Sequence, residues 1–185
     1  FDIQRFKPQI ISAANSALGR TVDFADIKLD ASLLKGLRLN LKQLTISEDP
    51  DFGKENFLSV DNIFLGIDVL SYLTKRQLSI STVQVQSPKV TIIRKKDGSI
   101  NAQTIGKPVN QDSSNTKKDK PAQAAMVLPA VFAEGIILEG GSITYIDYSF
   151  EPAMVINAAQ IKLEAGRFSL TAPVDFSLEG AVFSG

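Results

Sequence analysis

The sequence predicts a mainly β chain with an N-terminal amphipathic α-helix, its strands joined into a curled antiparallel sheet built from repeats. Three observations carry this reading. A strand–turn–strand unit occurs twice, as Val83-Gln-Val-Gln-Ser-Pro-Lys-Val-Thr-Ile-Ile-Arg94 and as Ile136-Ile-Leu-Glu-Gly-Gly-Ser-Ile-Thr-Tyr-Ile-Asp147. In both copies apolar and polar residues alternate, break at a two-residue corner (Ser87-Pro88, Gly140-Gly141) and resume as Val90/Ile92 or Ile143/Tyr145, and period two is the signature of strand. Copies about 50 residues apart imply a sheet extended by accretion, each unit stacking on the next because it cannot bury its apolar face alone. Secondly, other alternating segments slip phase by one residue, which calls for bulges, and repeated bulges curl a sheet. Thirdly, only residues 3 to 18 carry a clear helical spacing.

That helix is marked by Ile3, Phe6, Ile10, Ile11, Ala14, Ala17 and Leu18, with Gly19 placed for a C-terminal cap. Pro8 is tolerated only in a first turn, so the regular helix starts near Lys7. A helix capping the end of a sheet outweighs a membrane-surface helix, because Arg5 and Lys7 are its only basic residues. Strand follows at Val22/Phe24, Ile27/Leu29 and Leu37/Leu39/Leu41, then slips at Lys42-Gln43 to resume as Leu44/Ile46. Asp49-Pro-Asp-Phe-Gly53 is turn chemistry. Leu58, Val60, Ile63, Leu65 and Ile67 make the next strand, with a slip near Asn62, and residues 69 to 76 break the alternation as a short helix. Leu78, Ile80, Val83 and Val85 lead into Val90 to Arg94. Lys95-Lys-Asp-Gly98 then reads as a hairpin turn, closed by Ile100 to Ile105.

From Lys107 the composition becomes too polar to offset the entropy of ordering. The expected organisation is therefore an N-terminal helix and first β unit over 1–106, a flexible linker over 107–124 and a continuation of the sheet over 125–185. Strands are expected in that continuation near 131 to 139, 142 to 148, 154 to 164 and 173 to 183.

Composition excludes more chemistry than it supports. The 185 residues include no histidine and no cysteine, which removes the commonest general base, the commonest metal ligand and thiol chemistry. Twenty basic residues balance twenty acidic ones, so no strong field attracts nucleic acid. Ser71 and Lys75 share a helical spacing without an orienting third group. The acidic pairs Asp49/Asp51, Asp61/Asp68 and Asp147/Glu151 lie in turns or on polar strand faces without calcium-loop spacing. Arg94-Lys-Lys96 and Lys117-Lys-Asp-Lys120 read as solvated charge runs ahead of membrane-surface contacts, and Phe132 and Phe150 as groove or core residues, core being the more frequent. No phosphate-binding glycine loop is present, no cofactor or metal is expected, and no enzyme activity. No stretch reaches the roughly 18 to 20 apolar residues of a membrane-spanning helix. A curled sheet instead offers a concave face, either filled by a covering helix or open as an apolar groove.

The segment Phe6-Lys-Pro-Gln-Ile-Ile-Ser-Ala-Ala-Asn-Ser-Ala-Leu-Gly-Arg-Thr-Val22 resembles the stretch after the inner-membrane anchor in the AsmA-like family of bacterial envelope proteins. The resemblance extends through Leu37 to Ser47 with Phe52-Gly53, Leu65 to Leu73 leading into Leu78 to Val90, and Arg94 to Asn101. It returns in the strand Gly141 to Asp147. It implies a membrane helix preceding Phe1, a periplasmic body, and repeating β-groove units related to bridge-like lipid transporters, with a role in outer-membrane assembly and envelope homeostasis. By length the chain resembles an N-terminal periplasmic fragment of such an inner-membrane protein. On that reading Leu39, Leu41, Ile63, Leu65, Ile80, Val83, Val85, Ile92, Ile136, Leu138, Ile143 and Tyr145 line a groove for phospholipid acyl chains crossing between the two membranes. The alternative is a scaffold whose closed sheet docks other envelope proteins. Which strand face turns inward depends on register, since a one-residue slip inverts it.

Overall fold

The computed structural model describes residues 2–32, 36–68, 79–106, 132–133, 135–166, 168–169 and 176–184. The expected helix is present: Ile3–Phe6 is a 3-10 turn and Lys7–Leu18 an α-helix (α1) with Pro8 in its first turn. Asp2 caps the start by accepting from the Gln4 N–H at 3.0 Å. Gly19 ends it in the left-handed region at φ 63°, its N–H donating to the Asn15 carbonyl at 2.9 Å.

The strands are Val22–Asp23 (β1), Asp26–Ser32 (β2), Gly36–Ser47 (β3), Asn56–Asp68 (β4), Ser79–Gln86 (β5), Lys89–Arg94 (β6), Phe132–Ala133 (β7), Ile136–Asp147 (β8), Met154–Ala165 (β9), Phe168–Ser169 (β10) and Phe176–Ser184 (β11). They join into one curled, largely antiparallel sheet. β1 and β2 pair with β3, then β4 follows, then β5 and β6 end to end, then β8, β9 and β11. A parallel seam runs where β8 lies beside β5 and β6. That seam is the internal repeat made physical. Each residue of the first copy lies beside its equivalent 53 positions on, from Val83 beside Ile136 to Arg94 beside Asp147. Parallel pairing in register sets apolar on apolar and corner on corner. The Ser87 N–H donates to the Glu139 carbonyl, and the Ser142 N–H to the Pro88 carbonyl, both at 2.8 Å.

Two expectations need correction. Residues 136 to 147 form a single strand through Gly140-Gly141, because glycines absorb the corner that Pro88, with no N–H, interrupts in the first copy. Ile100 makes one bridge to Arg94 and Asn101–Thr104 is a 3-10 turn, so the hairpin after the Lys95–Gly98 turn closes by one rung only. The expected helix at 69 to 76 and the linker at 107 to 124 lie outside the described residues.

The phase slips fall on one line. Register sets Gln43 against Asp61, Asp61 against Ser87, and Ser87 against Gly140. Irregularities beside Gly141 and between Glu179 and Ala181 carry the line on to Gln160 and Gly180. All three non-glycine residues with positive φ among the described residues, Gln43 (52°), Ser87 (52°) and Gln160 (56°), lie on it, together with Gly140 (66°). A left-handed residue turns two successive side chains to one side, so Leu41 and Leu44 keep a common face and the strand bends. The sheet is creased across its whole width.

The buried core lies under the helix at one end. Val22, Ile46 and Phe57 pack with Ala14 and Leu18 of α1, with Leu44, Leu58, Val90 and Ile92 of the sheet, and with Ala102 and Ile105. Beside it sits a buried polar clamp. Arg20 donates to Glu48 Oε1 (2.8 Å), the Ser47 carbonyl (3.0 Å), the Asn101 carbonyl (2.9 Å) and Thr104 Oγ1 (2.6 Å). Asn101 donates to Glu48 Oε2 and to the Thr91 carbonyl, and its Oδ1 accepts from the Ile93 N–H. Both charged side chains are only 2% exposed, and such burial is tolerated because the charges are paired and hydrogen-bonded.

Removing one partner of this pair strands the other charge, so Arg20→Ala is expected to cost about 3–5 kcal/mol, read as a lowered urea midpoint. An unchanged midpoint means the clamp is not structural. At the crease, Gln43→Val is expected to destabilise by roughly 1–2 kcal/mol, because a β-branched residue resists the left-handed region. Gln43→Gly is expected to hold or raise stability in the same titration.

Candidate functional site

Directly opposed residues of neighbouring strands share a face of the sheet, so the register decides which predicted residues meet. Leu39, Leu65, Val83 and Ile136 form one continuous rung. Leu41, Ile63, Val85 and Leu138 form the adjacent one. Ile80 lies beside Ile67 one rung further on. Beyond the crease, Ile143 lies beside Val90 and Tyr145 beside Ile92, and Ile92 packs against the helix-covered core.

The rungs run further than predicted. One of them spans seven strands through Ile27, Leu41, Ile63, Val85, Leu138, Leu163 and Leu178, a width of about 29 Å at ordinary strand spacing. Leu29 and Leu37 extend its neighbours. Alternation around Leu29, Leu37 and Leu163 was the signal for these additions; what alternation alone lacks is the pairing partner. From Leu39 to Leu138 the side chains of the two rungs are half-buried. The opposite face is mostly polar, with rungs of Lys28, Asn40, Phe64 and Gln84 and of Asp30, Arg38, Gly66 and Thr82. The arrangement offers an apolar surface with no reacting group on it. Among the described residues no cluster of acidic side chains has the grouping to hold a metal ion, and no helix is long and apolar enough to cross a membrane.

Of the acidic pairs, Asp147 departs from the expected polar face: it is buried. Its Oδ1 accepts from Ser149 Oγ (2.6 Å) and the Ser149 N–H (2.8 Å), and its Oδ2 from Tyr145 OH (3.1 Å) and Arg94 (3.3 Å). The Ser149 hydroxyl bond, against some desolvation and helped by the Ser149 N–H, Tyr145 and Arg94, holds its carboxyl below the usual range. The carboxylate thus locks the end of the parallel seam.

A model described as the AsmA family matches residues 1–173. No curated protein matches the chain.

Because the Asp147 carboxyl is depressed in the folded protein, its contribution is present above the unfolded value of 3.8 and is lost as pH falls through the folded one. Urea titrations between about pH 5 and pH 2 are expected to show a stability loss that Asp147→Asn flattens. Equal slopes for both proteins would remove Asp147 from the acid response.

Proposed function

The chain belongs to the AsmA family of bacterial envelope proteins, and on that premise we propose that its apolar sheet face shields phospholipid acyl chains passing between the inner and outer membranes. The observation that carries this reading is the rung of apolar side chains crossing seven strands from Ile27 to Leu178. Each acyl methylene left in water costs about 0.8 kcal/mol, so exposing ten costs on the order of 8 kcal/mol. A continuous apolar wall lowers that barrier with no catalytic group.

The crease supports the direction of the curl. At Lys42-Gln43, Asp61-Asn62 and Gln86-Ser87 two successive polar residues fall between apolar ones. Two neighbours turned to the polar side lengthen that side, which bends the strand towards the apolar face. The lining is then the half-buried part of the two rungs from Leu39 to Leu138 with Ile80, while Ile27 at the β2 end is buried and α1 closes one end. On this reading the protein acts as a non-catalytic periplasmic conduit.

A second reading is favoured by β11, which pairs only with β9 among the described residues and exposes Leu178, Val182 and Phe183. An apolar strand edge of this kind docks further strands, which suits a scaffold in outer-membrane assembly.

Native mass spectrometry of the protein purified gently from a bacterial host is expected to show phospholipid in a defined ratio. Leu65→Asp with Val85→Asp is expected to abolish it while a cooperative melt persists. Lipid retained at the wild-type ratio by a folded double variant would sink the groove and leave the scaffold.

A further inference from the structure

The polar face carries a feature that acyl-chain shielding does not use. On β4, Gly66 leaves a bare position between Arg38 of β3 and Thr82 of β5. The register shift between Gly66 and Ile67 inserts Ser81 there as a bulge residue. Arg38, Phe64, Gly66, Ser81, Thr82 and Gln84, with Leu37, enclose a cavity of about 190 Å³. A Cβ on Gly66 would stand 2.5 Å from Ser81 Oγ, so a larger residue there has to displace the Ser81 hydroxyl from the cradle. Bulges of this kind re-aim side chains and recur beside binding sites.

The groups around the cradle are donors, and the fold leaves them unused. Neither the hydroxyls of Ser81 and Thr82 nor the Gln84 carboxamide has a hydrogen-bond partner among the described residues, and Arg38 has no ion pair. The guanidinium carbon lies 6.0 Å from the Phe64 ring centroid, at the outer reach of a cation–π contact. Asp30 faces Arg38 across the β2–β3 pair without bonding to it. One rung away Asn40, opposite Phe64, keeps a buried Oδ1 with no partner.

We propose that this cradle binds a phosphate-type oxyanion, with Arg38 as the charged fork and Ser81, Thr82 and Gln84 as neutral donors. Arginine with short hydroxyl donors matches tetrahedral oxyanions. A free phosphate and the phosphate of a lipid headgroup share this chemistry. The site lies on the face opposite the apolar rungs, so it stands or falls independently of acyl-chain binding.

The test is a titration of the ¹⁵N-labelled chain with inorganic phosphate, followed by amide shifts. Saturable shifts confined to Arg38, Gly66, Ser81 and Thr82 are expected. Arg38→Ala is expected to weaken binding about tenfold, whereas Asp30→Asn, which removes a competing carboxylate, tightens it. Thr82→Val gives a milder loss and serves as the check should Gly66→Ala, which fills the cradle, fail to fold. Repeating the titration with dihexanoyl phosphatidic acid separates the sources: shifts at the cradle from this lipid alone identify a headgroup, and shifts from inorganic phosphate identify the free ion. No shift with either, or shifts spread over lysine-bearing surfaces and unchanged by Arg38→Ala, overturns the proposal.

Discussion

Cross-strand register is the constraint on which the rest of this molecule depends. Among the described residues one helix covers one end of the sheet and the buried apolar residues there are few, so over most of the described sheet no second layer fixes the strands by packing. What remains is pairing: apolar opposite apolar along each rung, polar opposite polar on the other face, with the backbone ladder between them. Such pairs contribute roughly 0.2–1 kcal/mol each, little individually, but the rungs repeat over the width of the sheet. A slip by one residue would invert every strand's amphipathicity at once. The same alignment that gives stability therefore creates the apolar surface.

The crease and the clamp solve two problems that such a sheet raises. A flat, wide, one-layered sheet would expose its apolar face and invite aggregation. Left-handed residues at Gln43, Ser87 and Gln160 accept a conformational cost of order 1 kcal/mol each to bend it. They are tolerated because neighbouring strands bend at the same level, so each kink fits the next. The clamp around Arg20 fixes the closed end. It links the residue after the helix to the end of β3 and to the turn after β6, segments up to 84 positions apart. The two edges of the sheet are treated differently. On β2 the edge carries Asp26, Lys28 and Asp30, and Gln4 donates to the Ile27 carbonyl, while β11 presents apolar side chains.

Local periodicity made much of this legible. Period-two alternation located the strands, Gly19 the helix end, and the slips at Gln43 and Asn62 the bend. The twofold unit revealed more than strand identity, since its spacing became the parallel register of the seam. Eight of the predicted groove residues fall on two adjacent rungs for this reason. The clamp was not legible. Arg20, Glu48 and Asn101 are individually ordinary polar residues, and their burial follows from contacts that no local pattern encodes. Asp147 was misread for the same reason, because its partner Arg94 is reached only through the seam. The cradle at Gly66 was invisible too, since it needs a bulge on one strand to meet a glycine on another.

A surface of this kind works by extent. A catalytic site must hold a few groups within tenths of an ångström, which calls for a rigid surrounding shell. The proposed acyl-chain cargo asks only for continuous apolar contact, which rungs running across the strands would supply while each strand contributes one or two side chains. Repetition is then an economical way to lengthen the surface, because a new unit needs only to match the register of the last. The parallel seam shows how that match is made. The equivalent residues of two units lie side by side, so an apolar position in one is continued by an apolar position in the next, and a bend by a bend. Repeated sequence thereby propagates both the lining and its curvature.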